Sequence, residues 1–195
     1  MAGSSHIGFW TLANVLTLSR IPFGIAFWFV ADRPTWALAV MIVGGATDLA
    51  DGAVARRRGQ AGRNGVGAWL DPVCDKFFVL SMVAALLTIR RPAPWIVVAI
   101  VAREIVVVPL ALAYRLVPSV RRRLSYDFRA GRPGKLATLA QFAALTAMLF
   151  GSAVLPWVAA LAGIVGLAAA GDYVRRALHA AAPRDPGQRP SDDGG

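Results

Sequence analysis

The chain has 195 residues, of which 56% are hydrophobic and 16% are charged, and its formal net charge at pH 7 is +10. Soluble domains contain about 25% charged residues, so this composition predicts a membrane protein and argues against an ordinary soluble domain. The positive charge does not indicate a nucleic-acid partner, because the arginines cluster in short loops between apolar segments. Anionic lipid headgroups and phosphate-containing substrates are the expected partners.

Six apolar segments follow one another along the chain, each near the ~20 residues that a helix needs to cross a bilayer. The sequence therefore predicts an all-α, polytopic membrane protein with six transmembrane helices. Residues 1–182 are predicted to form one membrane domain, and residues 183–195, rich in Pro, Gly, Asp and Arg, a disordered tail. The six segments cover residues 12–31, 35–56, 67–89, 93–114, 133–154 and 155–173.

Basic residues predict the orientation of these segments. One side of the membrane would hold only Arg33, Arg90 and Arg91. The other side would be cytoplasmic, with both termini, which predicts a protein of the cell inner membrane. The first eight residues lack the basic start of a signal peptide, and the single cysteine, Cys74, cannot form an intramolecular disulfide. The basic residues on the predicted cytoplasmic side are those of the tail together with Arg56, Arg57, Arg58, Arg63, Arg115, Arg121, Arg122, Arg123, Arg129, Arg132 and Lys135.

Four aspartates lie at the predicted cytoplasmic ends of the second and third segments. Asp48 and Asp51 are three residues apart, and Asp71 and Asp75 are four apart, so each pair shares one face of its helix. One such aspartate would simply face water, but four converging carboxylates need cations to neutralise them. Oxygen ligands suit Mg²⁺ or Mn²⁺, and two such ions can bind a phosphoryl group and activate an attacking oxygen.

The residues around these aspartates resemble the signature of the CDP-alcohol phosphotransferase family, D-x2-D-G-x2-A-R-x8-G-x3-D-x3-D. One difference is that ten residues, rather than eight, separate Arg56 from Gly67, and the additional pair falls in a loop where insertion is cheap. The eight matching residues, in order, are Asp48, Asp51, Gly52, Ala55, Arg56, Gly67, Asp71 and Asp75.

The resemblance implies a six-helix membrane enzyme that transfers a substituted phosphate from a CDP-linked donor to an alcohol and releases CMP. All four aspartates would surround two metal ions, and Asp75 would also be the general base for the acceptor hydroxyl. Such enzymes are commonly homodimers, so a homodimer is expected. The residues implied to line the CDP site are Asn14, Thr17, Gly52, Ala55, Arg56 and Gly67.

Further elements resemble the phosphatidylglycerophosphate synthase branch of that family. Residues 14–20 (N-V-L-T-L-S-R) resemble its N-L-T-x-x-R opening with one additional residue after the Asn, and the others are L-D-P-x-x-D-K at 70–76, R-E at 103–104 and G-K-x-x-T-x-x-Q at 134–141. They imply CDP-diacylglycerol and glycerol 3-phosphate as substrates. Arg20, Arg103 and Lys135 are basic residues in or near apolar helices and would bind the acceptor phosphate, with Glu104 orienting one of them. Arg20 and Lys135 could instead extend to the headgroup region.

Other functions remain open from the sequence. A cardiolipin synthase would use phosphatidylglycerol as acceptor and would need fewer cations, whereas an inositol-phosphate transferase would also need a phosphate site. A cation transporter would place its carboxylates near the membrane midplane, which the predicted positions of these aspartates disfavour. A non-catalytic scaffold would not explain eight motif residues in register.

Overall fold

The computed structural model describes residues 12–57, 66–116 and 132–179, and within these ranges the chain forms seven α-helices and no strand. Predicted features in the intervening segments and after residue 179 lie outside the described residues. The disordered tail predicted at residues 183–195 is one of them. In chain order the helices are α1 (Leu12–Val30), α2 (Pro34–Arg57), α3 (Val66–Arg90), α4 (Pro94–Ile100), α5 (Ala102–Leu116), α6 (Arg132–Leu149) and α7 (Leu155–His179).

Five of the six predicted segments correspond to single helices. The fourth does not: the prediction of one helix over residues 93–114 is corrected to two helices, α4 and α5, with a bend of 53° between them. Neither Gly nor Pro stands at the break, which falls at Val101, and Pro109 lies further along, inside α5. A side chain from another helix marks the bend instead. Gln141 of α6 donates an amide hydrogen bond to the carbonyl of Ile100 (2.9 Å), and side chains inserted in this way are a recognised cause of helix kinks.

The helices pack as two groups joined through α6. Helix α1 contacts both α2 and α3, α7 contacts α4, α5 and α6, and α6 also contacts α2 and α3. A fully buried apolar core fills the half of the bundle that holds the α1–α2, α3–α4 and α6–α7 turns. At this end the Arg90 guanidinium donates a hydrogen bond to the carbonyl of Leu149. The largest core side chains include Phe27, Met41, Met82, Leu86, Leu145 and Met148.

Helices α2 and α3 approach each other at a glycine. A Cβ atom built on Gly44 would lie no more than 3.0 Å from three atoms of the Phe78 ring, so only glycine fits at this position. Phe78 is 1% exposed and belongs to the buried core. The Phe78 ring therefore fills the space between α2 and α3 at this point.

By length and hydropathy, one helix in the described ranges, Leu155–Arg176 with 22 residues, could cross a membrane alone. The bent pair α4 and α5 meets the same criterion when its two helices are taken together. Two shorter apolar stretches, Thr17–Val30 and Pro34–Thr47, belong to α1 and α2.

Candidate active site

The faces of α2 and α3 that meet at Gly44 and Phe78 are the faces that contain the four aspartate positions. Positions 48 and 51 follow Gly44 by four and seven residues, and positions 75 and 71 precede Phe78 by three and seven. Helix α3 runs in the same direction as α1, since Gly24 faces the Phe77 ring and Trp28, one turn later, donates to Ser81, and α2 returns antiparallel to α1 after a short turn. Both pairs of positions therefore lie on the same side of the Gly44–Phe78 contact.

Asp75 is the predicted metal ligand whose side chain the structure describes. Its carboxylate is 35% exposed and lies 3.8 Å from the Lys76 ammonium. The side chains of Asp48, Asp51 and Asp71 are outside the described part of the chain, although their backbones belong to α2 and α3. Among the described side chains, no three Asp, Glu, His or Cys residues converge as a metal site would require. The four-carboxylate metal site therefore stays a prediction.

The residues predicted to bind CDP are distributed over three helices. Asn14 and Thr17 lie in α1, and Thr17 is fully buried. Gly67 lies in the first turn of α3. The remaining three belong to the last third of α2 and are Gly52, Ala55 and Arg56. The four positions from α2 and α3 lie between the two aspartate pairs along the chain, as the motif requires, and the binding role of all six residues stays a prediction.

A buried polar network connects α3, α5 and α6, and Glu104 is its centre. One carboxylate oxygen of Glu104 accepts from Lys76 Nζ at 2.7 Å and from Arg103 Nε at 3.0 Å. The other accepts from Gln141 Nε2 at 2.9 Å. The Glu104 side chain is 4% exposed, so three donor side chains compensate its buried charge. The sequence-based expectation that Glu104 orients one of the basic residues is met by its contact with Arg103.

Most N–H donors of the Arg103 guanidinium already contact other residues of the protein. Besides Nε, its Nη2 lies 3.0 Å from Glu104, and its Nη1 donates to the Gly134 carbonyl at 3.2 Å and to Thr138 Oγ1 at 3.0 Å. A guanidinium has five N–H donors, and these four contacts leave one for a ligand. In this arrangement Arg103 can offer a phosphate a single hydrogen bond but not a two-pronged one.

The other two residues predicted to bind the acceptor phosphate lie in different environments. Arg20 is 2% exposed on α1, which is incompatible with extension of its side chain to the headgroup region. Lys135 is exposed on α6, next to Gly134, whose carbonyl accepts from Arg103. The described contacts thus bring Arg103 beside the α6 segment that contains Lys135.

Sequence reasoning missed the pairing of Lys76 with Glu104. The two residues are 28 positions apart, and no local pattern in the sequence connects them. A signal was present: Lys76, Arg103 and Glu104 all lie in predicted membrane helices, and a charge buried there needs a partner.

We expect Gln141→Leu to lower stability measurably. The substitution keeps the volume of the side chain but removes the donor from the Ile100 carbonyl and from Glu104, both in buried surroundings. Loss of these two hydrogen bonds should cost about 1–3 kcal/mol, read as a lower melting temperature of the purified protein. Leu139→Ala, at an exposed position of the same helix, is the control and should leave the melting temperature nearly unchanged. An unaltered melting temperature for Gln141→Leu would contradict a stabilising role for these bonds.

Comparison with known proteins decides the family. The family model for CDP-alcohol phosphatidyltransferase matches residues 10–168, which include every aspartate of the motif and every helix up to the middle of α7. The chain belongs to the CDP-alcohol phosphatidyltransferase family. It is therefore a CDP-alcohol phosphotransferase, a membrane-associated enzyme of a family that generally uses divalent metal ions.

Curated relatives of this phosphatidyltransferase fall into two named activities. Cardiolipin synthase (CMP-forming) of Streptomyces coelicolor is 31% identical over 172 residues, which cover 83% of this chain and 74% of the relative. CDP-diacylglycerol–glycerol-3-phosphate 3-phosphatidyltransferase 2 of Arabidopsis thaliana is 32% identical over 154 residues, 71% of this chain and 64% of the relative. Human cardiolipin synthase (CMP-forming) is 28% identical over 122 residues, 60% of this chain and 40% of the relative.

Proposed function

We propose that this phosphatidyltransferase moves a phosphatidyl group from CDP-diacylglycerol to glycerol 3-phosphate, giving phosphatidylglycerol phosphate and CMP. The observation that carries the proposal is the close contact of Gly44 with Phe78, which brings together the α2 and α3 faces that contain the four aspartate positions. The named activity of the Arabidopsis relative and the R-E and G-K-x-x-T-x-x-Q elements favour glycerol 3-phosphate as the acceptor.

The residues present fit a divalent-cation site. Asp75 keeps a third of its carboxylate exposed, and its closest described charged partner is an ammonium at 3.8 Å, so its oxygens are available to a ligand. Asp48, Asp51 and Asp71 would complete a set of hard oxygen donors suited to two Mg²⁺ or Mn²⁺ ions. When bound, these ions would neutralise the donor pyrophosphate and polarise its phosphoryl oxygens.

In the proposed reaction Asp75 accepts the proton of the sn-1 hydroxyl of glycerol 3-phosphate. The hydroxyl oxygen forms a bond to the β-phosphorus of CDP-diacylglycerol as the bond from that phosphorus to the CMP oxygen breaks. Asn14, Thr17, Gly52, Ala55, Arg56 and Gly67 would hold the CDP group. Catalysis by these residues would come chiefly from positioning and from compensating charge.

The acceptor phosphate would be bound by Arg20, Lys135 and the one remaining N–H of Arg103. Arg20 is buried on α1, where water screens charges less than at an exposed position. Exposed Lys135 supplies a compact ammonium at the edge of the site. The network around Glu104 fixes the position of Arg103, and this supports a site with a defined geometry.

The distribution of apolar side chains supports six spans in a bilayer, with the bent α4–α5 pair as one of them. Large apolar residues on several helices are strongly exposed, including Phe29 at 79%, Trp157 at 79% and Ile164 at 68%. Such surfaces are unfavourable in water and favourable against lipid. By the positive-inside rule, the site would face the cytoplasm at the inner membrane, with both termini on that side. A homodimer is our expectation for the assembly.

An open groove between α1 and α3 supports access of the lipid donor from the side. Its volume is about 540 Å³, and it begins within one helical turn of Asp75, so an acyl chain could lie in it while the headgroup reaches the carboxylates. The residues that line it are Ile25, Trp28, Phe29, Phe77, Leu80 and Ser81.

A second candidate acceptor is phosphatidylglycerol, which would make the enzyme a cardiolipin synthase. Lys76 and Arg103 both form ion pairs with Glu104, so fewer cations are available to bind a second phosphate. This favours phosphatidylglycerol as the acceptor. The Streptomyces relative bears the name cardiolipin synthase.

We expect CMP release by the purified full-length enzyme with CDP-diacylglycerol and Mg²⁺ when glycerol 3-phosphate is supplied. Phosphatidylglycerol and inositol 1-phosphate, offered separately, are the competing acceptors, and the lipid product is identified by mass. Release of CMP only when phosphatidylglycerol is supplied would show that the enzyme is a cardiolipin synthase. A folded protein that neither binds CDP nor releases CMP would overturn the proposed chemistry.

A further inference from the structure

Lys76 lies between two carboxylates and is bonded to the one that has no predicted role in catalysis. Its ammonium is 2.7 Å from Glu104 but 3.8 Å from Asp75, the neighbouring residue and the predicted base. Within the described side chains, these are the two carboxylates within 4.0 Å of the Lys76 nitrogen. Lys76 thus forms a short bond to Glu104 and only a long ion pair with Asp75.

Glu104 is held firmly enough to act as the fixed partner. Its two oxygens accept hydrogen bonds from Lys76, Arg103 and Gln141, and its side chain is 4% exposed. These donors lie on α3, α5 and α6, so Glu104 cannot move without disturbing three helices. Lys76, by contrast, is 20% exposed and has a flexible four-carbon stem.

We propose that Glu104 is a positioning residue that keeps the Lys76 ammonium off Asp75 and thereby leaves Asp75 available to a divalent cation and to the acceptor hydroxyl. The inference rests on the proposed function, because that function assigns Asp75 its two tasks. It adds a role for Lys76, which belongs to none of the predicted sites, and it gives Glu104 a second role beside the orientation of Arg103.

The physical argument is a competition for one carboxylate. If Glu104 loses its charge, Lys76 retains Asp75 as its described acidic neighbour, and a small rotation of the stem shortens the long 3.8 Å ion pair to a direct hydrogen bond. An ammonium bonded to an Asp75 oxygen competes with a metal ion for that oxygen, and its positive charge repels the ion. The substitution Glu104→Gln keeps the size of the side chain while removing the charge, so it should weaken metal binding through Lys76 and not through lost volume.

A purely structural role for Glu104 makes a different prediction. Loss of the charge would then disturb the packing of α3, α5 and α6, and removing Lys76 as well would not repair it. The two explanations are separated by the double variant Glu104→Gln/Lys76→Met, which deletes both the fixed partner and the competing ammonium.

The experiment measures Mn²⁺ affinity of the full-length enzyme in detergent, from the electron paramagnetic resonance signal of unbound Mn²⁺, with no substrate present. We expect Glu104→Gln to weaken Mn²⁺ binding about tenfold, an effect of the size that one charge-assisted contact represents. Lys76→Met alone and the double variant should both bind within about threefold of the wild-type protein, a margin below that of a single such contact. Melting temperatures are recorded for all four proteins.

Unchanged affinity in Glu104→Gln, or a double variant as weak as Glu104→Gln, would overturn the inference. If Glu104→Gln does not fold, the inference is tested by Lys76→Met and the double variant. Weakened Mn²⁺ binding by either of these would overturn the inference. CMP release by the wild-type protein is measured in parallel. Wild-type protein that binds Mn²⁺ but releases no CMP would refute the proposed function alone, whereas wild-type protein that binds no Mn²⁺ would refute both.

Discussion

Asp75→Asn is expected to reduce CMP release by at least about 10³-fold, because a carboxamide cannot accept the proton of the acceptor hydroxyl. It is also a weaker ligand for a divalent cation than a carboxylate. The change preserves shape, and Asp75 is 35% exposed, so folding should be maintained. Steady-state CMP release and the melting temperature are the two measurements.

The matched control for this prediction is Asp172→Asn. Asp172 lies on α7 and pairs with Arg175 and Arg176 near the surface, so the same chemical change there should leave CMP release near the wild-type rate. If Asp75→Asn kept more than about a tenth of the activity, a loss far below the effect of removing a general base, Asp75 would not be the base.

Gly44→Ala is expected to cause the second large effect, on stability and activity together. The added methyl group would collide with the buried Phe78 ring, and overpacking of this kind costs about 1–3 kcal/mol. It would also separate α2 from α3 one helical turn from the predicted carboxylates, so CMP release should fall with the melting temperature. Both quantities are measured on the purified protein.

Two variants test the physical cause of that effect. Gly44→Ala/Phe78→Leu removes the colliding ring atoms and should recover part of the lost activity and stability. Gly171→Ala is the control, because a Cβ at that exposed helical position meets no atom within 4 Å among the described residues. That control should be neutral or slightly stabilising, since alanine favours helix by about 1 kcal/mol over glycine. A failure of Phe78→Leu to compensate would exclude the ring as the cause.

The sequence predicted the helices well because their lengths and boundaries follow local properties. The bounds of α1, α2 and α3 depend on runs of apolar residues and on turns such as the one before Pro34, and all three lie close to the predicted segments. The family was also predictable, since its signature is a continuous sequence pattern from Asp48 to Asp75. The family match over residues 10–168 confirms that assignment.

Interactions between distant residues were not predictable in the same way. The bend at Val101 depends on Gln141, forty residues further along the chain, and nothing in the local sequence marks it. The occupation of Arg103 by Glu104, Gly134 and Thr138 changes what this arginine can offer a phosphate. Charge and position along the chain predict that Arg103 is important but not how many of its donors remain.

The bend between α4 and α5 has a mechanical consequence. Because the Ile100 carbonyl is bonded to a side chain of α6, the joint between the two half-helices is coupled to the axial position of α6. Sliding of α6 would pull on Glu104 through the same glutamine and on Arg103 through Gly134 and Thr138. A movement of the α6 end that contains the exposed Lys135 would therefore tilt α5 and displace Arg103 and Glu104 with it.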